Sequence, residues 1–346
     1  MDINEKDIER AAELTALLTA PAGVSGREDR AVSAACELLK KYTGDIRITD
    51  GGSVIAVIKD GSPMLVLDAH SDQVGFVVTD ILDGGFLCFS EAGGIDSRIL
   101  PAQQVVIHGK KDIRGVICSI PPHLKSGGST SDAEDMYIDT GLDRSTAEKY
   151  ISRGDTVSFF SPSARMIGSR MTGGALDDRC GMAAILLALE KTDISALGCG
   201  LTVVFASQEE VGMRGAECSA YDTDADIAIA VDVSFGLAKG EKKQKCGLMG
   251  KGVMIGYSPT LDRGISEKLT DIAESCSIPY QVEVMSSRTG TNADKYGISR
   301  GGARTSTLSI PLRYMHTPSE TIDLRDVVSA AELISAYLKE DDLYGA

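Results

Sequence analysis

Apolar residues recur at helical spacing from Ile8 to Leu18 and stop before Ala20-Pro21-Ala22-Gly23, which predicts a helix followed by a turn. The same period over Arg30 to Leu39 predicts a second helix. Ser53 to Ile58 and Met64 to Leu67 are short apolar or β-branched runs, split by Asp60-Gly61-Ser62-Pro63, and read as two strands joined by a turn. From about Val74 to about Ile167 the pattern changes to short alternating runs: Gly75 to Thr79, Phe86 to Phe89, Gln104 to His108, Arg114 to Ile120 and Thr156 to Phe160. Helix and strand then alternate again. Helices are predicted over Gly181 to Leu189, Ile265 to Cys276 and Leu324 to Leu338, and strands over Leu201 to Ser207, Ile227 to Val233 and Thr305 to Pro311. The economical reading is one α/β domain, residues 1–73 and 168–346, interrupted at 74–167 by a small β-rich domain.

Composition narrows the function. The chain has 346 residues, 43% apolar and 25% charged, which suits one large domain plus a smaller one. Its 35 basic residues face 50 acidic ones, and a net charge of −15 argues against a nucleic-acid partner. No apolar run reaches the ~18 to 20 residues of a membrane helix, so no membrane partner is expected. Asp2, Glu5, Asp7 and Glu9 stand where a signal peptide would be basic and then apolar. Eight cysteines are scattered without a closely spaced pair, as reduced thiols in a cytoplasmic protein would be. Tryptophan is absent and aromatics reach only 5%, a poor supply for a groove that stacks sugars or bases.

In an open α/β sheet the ligand site lies outside the carboxyl ends of the strands, and polar residues gather there in this chain. Met64 to Leu67 runs into Asp68-Ala69-His70-Ser71-Asp72, and Leu201 to Ala206 into Ser207-Gln208-Glu209-Glu210. Asp232 follows Ile227 to Val231, and Tyr314 and His316 follow the run that starts at Ser306. Asp177-Asp178 precedes a predicted helix. Taken singly these are ordinary: a turn histidine, a helix cap, a solvated turn, a strand terminus. Together they converge two of only four histidines with several carboxylates, and burying that many carboxylates without a cation is strongly unfavourable.

Two imidazoles and three carboxylates suit zinc, cobalt or manganese better than calcium or magnesium. With one carboxylate bridging, such a set holds two divalent ions per chain, ~3.5 to 4 Å apart with a shared water, as in a co-catalytic hydrolase. Asp72 is placed to orient His70. Of the adjacent Glu209 and Glu210, one can bind metal and the other act as general base, since neighbours on an extended segment point opposite ways.

Four ordered stretches, 68–76, 174–179, 208–216 and 313–318, resemble the tetrahedral-assembly aminopeptidase family, which includes glutamyl and deblocking aminopeptidases and proteins labelled cellulase M. The resemblance runs almost end to end. In the insert, Gly115-Val116-Ile117, Pro121-Pro122-His123-Leu124 and Tyr137-Ile138-Asp139-Thr140-Gly141 resemble that family's oligomerisation domain. It implies a mixed-sheet, zinc-exopeptidase-like catalytic domain. It further implies that Asp177 bridges, that His70 and Asp232 complete one metal and that Glu210 and His316 complete the other. Glu209 would be the general base on the metal-bridging water, Asp72 the orienting carboxylate, and the peptide after Asp177 cis. Expected partners are short peptides, trimmed from their N-termini, and eleven further copies of the chain in a hollow homododecamer built from dimers. Asn292 departs from the aspartate of many relatives, which changes specificity if its loop touches substrate and leaves the metal set as it is; Cys180 reads as a small packed residue.

Three rival readings remain. An endoglucanase, suggested by the cellulase label, needs metal-free carboxylates flanking a sugar. A non-catalytic assembly protein would have no use for Glu209. A metallo-deacylase of the same clan would prefer blocked substrates.

Overall fold

In the computed structural model, which describes residues 3–119 and 136–344, the two N-terminal periodic stretches form α1 (Glu5–Thr19) and α2 (Asp29–Leu39). The side chain of Asn4 caps α1 by accepting the Asp7 N–H at 2.9 Å. Strands β1 (Ile46–Ile48), β2 (Val54–Lys59) and β3 (Met64–His70) follow. A closed six-stranded barrel comes next, made of β4 (Gly75–Ile81), β5 (Leu87–Ala92), β6 (Gln104–His108), β7 (Asp112–Cys118), β8 (Tyr137–Asp139) and β9 (Thr156–Phe159), with α3 (Arg144–Tyr150) before β9. The barrel has its own core, in which Phe76 packs edge-on to Phe89 and Phe159 at centroid distances of 5.1 and 5.3 Å.

The chain then returns to the large sheet through β10 (Ala164–Arg165) and β11 (Arg170–Gly173). Helix α4 (Leu176–Glu190) crosses beneath that sheet. After it come β12 (Gly200–Ala206), α5 (Arg214–Thr223), β13 (Ile227–Phe235), β14 (Val253–Tyr257), α6 (Arg263–Ser275) and β15 (Tyr280–Val284). The short α7 (Ala293–Tyr296), β16 (Arg304–Arg313), β17 (Glu320–Asp323) and α8 (Leu324–Tyr337) complete the fold.

The large sheet has eleven strands in the order β1-β2-β12-β3-β13-β16-β17-β11-β10, with β14 pairing β16 and β15. Its centre, β12-β3-β13-β16, is parallel, and β1, β2, β17, β11 and β10 run antiparallel to their neighbours. It is therefore a mixed sheet. Side chains alternate across β3: Leu65, Leu67 and Ala69 join the core with α1, α4 and α8, whereas Val66 packs with Ala216, Ala220 and Tyr296 of α5 and α7. Asp68 and His70 share the parity of Val66 and so face the α5 and α7 side. Helix α4 is buried from Leu176 to Leu189; its run Cys180 to Leu189 is apolar on every side, as expected of a helix enclosed in a core, and Cys180 packs there as a small core residue.

Several boundaries differ from the sequence reading. The apolar run of β3 stops at Leu67, yet the strand continues through Asp68 to His70. Asp68 does not end it because its carboxylate is buried and satisfied, accepting from Asn292 Nδ2 at 2.6 Å and Tyr296 OH at 3.0 Å. Asp232 sits inside β13, paired with Ser309 of β16, as the strand expected over Ile227 to Val233 requires, and β13 runs two residues further, to Phe235. Ala164-Arg165, expected inside the insert, pairs with β11 of the large sheet, so the last barrel strand ends at Phe159. Glu209 and Glu210 occupy a turn and not an extended segment, because Gln208 takes a left-handed conformation at φ 54°. The stretch Pro121-Pro122-His123-Leu124 and the last residue of the expected strand 114–120 lie outside the described residues.

Candidate metal centre

Each predicted side chain reaches one place from a different element. His70 ends β3, Asp177 opens α4, Glu210 follows β12, Asp232 lies in β13 and His316 follows β16. The first four are almost wholly enclosed, while His316 is partly exposed and marks the open side. The barrel is inserted between β3 and α4, so the chain passes through it between His70 and Asp177.

The Asp177 carboxylate stands between the two imidazoles. Its Oδ1 is 2.9 Å from His70 Nε2 and its Oδ2 is 3.5 Å from His316 Nε2. On one side His70 Nε2 is 3.8 Å from Asp232 Oδ1; on the other His316 Nε2 is 3.1 Å from Glu210 Oε2. The peptide joining Asp177 to Asp178 is cis. Both histidines are turned by their other ring nitrogen. His316 Nδ1 donates to Gly94 O at 2.6 Å, and His70 Nδ1 lies 3.2 Å from Asp72 O, a carbonyl that can only accept. Each Nε2 is thereby left facing the carboxylates.

Asp72 does more than the sequence suggested. Its Oδ1 lies 3.5 Å from His70 Nδ1 and accepts the Glu209 N–H at 2.9 Å, while Oδ2 accepts from Glu210 N at 3.2 Å and Ser25 Oγ at 2.6 Å. The Glu209 side chain makes no hydrogen bond or ion pair among the described residues, which leaves a carboxylate available to a substrate proton.

Charge in the cluster follows from burial and close opposite partners. Burial is the largest influence on Glu209 and pushes it to about 9, with Asp232, Glu210 and Asp177 adding to the rise. Burial and the Asp177 charge likewise raise Asp232, to about 8, and Glu210. Burial opposes charge on His316, yet the Asp177 and Glu210 carboxylates raise it to about 11, and His70 is raised by Asp177 and Asp72 against the same opposition. Asp177 and Asp72 go the other way: contacts with the imidazoles outweigh burial at Asp177, and the His70 ring with the Ser25 and Glu209 donors outweighs it at Asp72, so both are held below the ordinary carboxylate range.

The donor set fits divalent cations. Ligand atoms of His70, Asp177 and Glu210 lie within 4.8 Å of one another, as do those of His70, Asp178 and Asp232. The second group brings in Asp178, to which the sequence assigned no role. Its Oδ1 accepts the Gly181 N–H at 3.1 Å, and its buried Oδ2 has no partner. Imidazole nitrogens mixed with carboxylates favour zinc, cobalt or manganese over the oxygen-only coordination of calcium and magnesium.

Two carboxylates that frame the cluster escaped the sequence reading. Glu28 Oε1 accepts from Gly26 N at 2.8 Å and Gln208 N at 3.1 Å, and burial raises it to about 7. Glu320 accepts from Leu176, Asp177 and His316. Nothing in the sequence separates either from a surface acid, because what buries them is pairing with backbone N–H groups that lie partly in distant segments, Gln208 for Glu28 and Leu176 and Asp177 for Glu320. Asn292 is buried and donates to Asp68, two residues before His70 on β3.

The M42 glutamyl aminopeptidase family matches residues 52–333. Lysyl aminopeptidase of Pyrococcus furiosus is 32% identical over 326 residues, covering 92% of this chain and 94% of that protein. An aminopeptidase structure from the archaeon Desulfurococcus kamchatkensis superposes with a TM-score of 0.91 at 32% identity, covering 96% of this chain and 95% of its own. The Pyrococcus horikoshii TET1 peptidase, described as assembling into a tetrahedron or a large octahedral shell, gives a TM-score of 0.82 at 29% identity over 95% of this chain and 98% of its own.

Proposed function

The chain belongs to the M42 glutamyl aminopeptidase family and is an aminopeptidase, and on that premise we propose that it trims short peptides from their free N-termini with two divalent ions per chain. The observation that carries the two-ion reading is the Asp177 carboxylate, whose two oxygens face different imidazoles at 2.9 and 3.5 Å. His70 and Asp232 would hold one ion, Glu210 and His316 the other, and Asp177 both. Zinc is the first candidate, with cobalt and manganese compatible. When bound, the pair polarises the scissile carbonyl and makes water acidic enough to supply hydroxide near neutral pH.

The protein's own groups do the rest. Glu209 accepts the proton of the attacking water and returns it to the leaving amine, a role that suits an unpaired carboxylate held by Asp72 through its backbone. The acidic surround of the cluster attracts a free α-ammonium group, which sets cleavage one residue from the N-terminus. The barrel is the proposed surface for self-association, in line with the assembly described for the Pyrococcus horikoshii relative, and the homododecamer is the form proposed here. Eight unpaired cysteines suit the reducing cytoplasm, where we place the protein.

The test is release of the first residue from a short peptide and from its N-acetylated twin, with metal-depleted protein and with each ion restored. Release from the free peptide only after an ion is restored supports the reading. Faster release from the acetylated twin would move the enzyme to the deacylases. Among the described residues no helix is long and apolar enough to cross a membrane. The endoglucanase alternative gains nothing, because these carboxylates come paired with histidines.

A further inference from the structure

Resting on the two-ion reading above, we infer that Glu320 is a positioning residue that fixes Asp177 and His316 relative to each other before any ion arrives. Glu320 opens β17 and is buried. Its Oε2 accepts the N–H groups of Leu176 at 2.8 Å and Asp177 at 3.2 Å, and its Oε1 accepts the His316 N–H at 3.1 Å. One carboxylate thus ties together two segments that are far apart in the chain and that each carry a ligand.

The local backbone gives this tie its importance. His316 itself has φ 60°, Tyr314 has φ 62° and Ala175, two residues before Asp177, has φ 58°. Side-chain-bearing residues rarely adopt the left-handed region, and such conformations persist only where surrounding contacts over-determine them. Glu320 supplies contacts of that kind to both turns at once. Outside the ligand cluster, the His316 ring is held at Nδ1 by the Gly94 carbonyl, contributed by the loop after β5 of the barrel. The two constraints act on different parts of the residue: Glu320 on the backbone, Gly94 on the ring.

The bonding pattern also tells which ion depends on it more. A glutamine at 320 has one acceptor oxygen and one amide nitrogen that only donates. The orientation that keeps two of the three bonds leaves the oxygen on Leu176 and Asp177 and sets the NH2 group against the His316 N–H. His316 then loses its backbone anchor while Asp177 keeps its own. The Glu210 and His316 site is the one to loosen.

Cobalt(II) titration of metal-depleted protein, against a competing chelator, reads this directly. The parent is expected to bind two ions, and Glu320→Gln to bind one of them, the ion assigned to Glu210 and His316, about 10- to 100-fold less tightly, the usual effect of losing an outer partner of a metal ligand, with the other ion little changed. Thermal melting of the metal-depleted proteins separates positioning from general support, because a merely structural Glu320 would lower the melting temperature and leave both cobalt affinities alone. Unchanged affinity for both ions in a folded variant overturns the inference. Should the variant not fold, amide hydrogen exchange on the metal-depleted parent decides: slow exchange at Leu176, Asp177 and His316 supports pre-positioning, and free exchange there overturns it. A parent that binds only one cobalt ion refutes the two-ion reading, while the exchange result still judges Glu320.

Discussion

Asp72 Oδ1 accepts the backbone N–H of Glu209 at 2.9 Å, so the carboxylate beside His70 also sets the direction of the proposed general base. Ligand geometry and base geometry therefore share one side chain. Asp72→Asn keeps the size but turns one acceptor into a donor facing an N–H group or the His70 ring. We expect the ion at His70 to bind about 10- to 100-fold more weakly, with lower turnover even at saturating metal. Parental metal affinity together with parental turnover would remove Asp72 from both roles.

Glu209→Gln removes the proton acceptor and leaves every proposed ligand in place. Both ions should remain, and turnover should fall by roughly 10² to 10⁴. Paired elemental analysis and kinetics check this. A variant with full metal and near-parental turnover would mean that another group is the base.

These two expectations draw on residues that the sequence made visible, and the reason is physical. His70, Asp177, Glu209, Glu210, Asp232 and His316 all follow or interrupt strongly apolar stretches, and a charge beside a buried run is conspicuous. The same signal misplaced the C-terminal end of β3, because a satisfied buried carboxylate such as Asp68 looks in sequence like the end of a strand. Glu28 and Glu320 were illegible for a different reason: each joins a backbone N–H close by in sequence to others, at Gln208 or at Leu176 and Asp177, that only the fold brings near. The short strands β1, β10 and β17 carry too few residues to show a period, and the closure of the barrel depends on pairings, such as β4 with β9, between runs far apart in sequence.

Metal binding should be linked to pH with a definite sign. In the cation-free cluster His316 stands at about 11, Glu209 at about 9 and Asp232 at about 8, all above their ordinary values, and His70 is raised as well. Raised groups contribute stability that is fully present below their unfolded values and is lost as pH climbs through the folded ones. Between about pH 6 and about pH 9 the cation-free protein should therefore lose stability from these groups. Asp177, whose value is lowered, acts only at more acid pH. Ligation requires neutral imidazoles and ionised carboxylates, so metal affinity rises over the same range. The gap in melting temperature between metal-loaded and metal-free protein should widen from about pH 6 to about pH 9. A gap that narrows would show that the ions do not replace these protons.

Removing residues 74–160, which leaves β10 in the large sheet, and joining the ends with a short linker should leave a smaller species in sedimentation, if the barrel carries self-association. The structure adds a second consequence, since Gly94 O accepts from His316 Nδ1 at 2.6 Å and lies in the deleted segment. The shortened protein should also hold the ion at Glu210 and His316 less tightly. An unchanged assembly would place the contacts elsewhere.

The central claim is that one carboxylate serves both ions, and metal content after Asp177→Ala tests it most directly. Elemental analysis of the folded variant, dialysed against buffered free metal at the level that fills the parent, should find both ions lost. One ion retained at full occupancy would contradict the account, because it would mean that His70 with Asp232, or Glu210 with His316, holds its ion without Asp177.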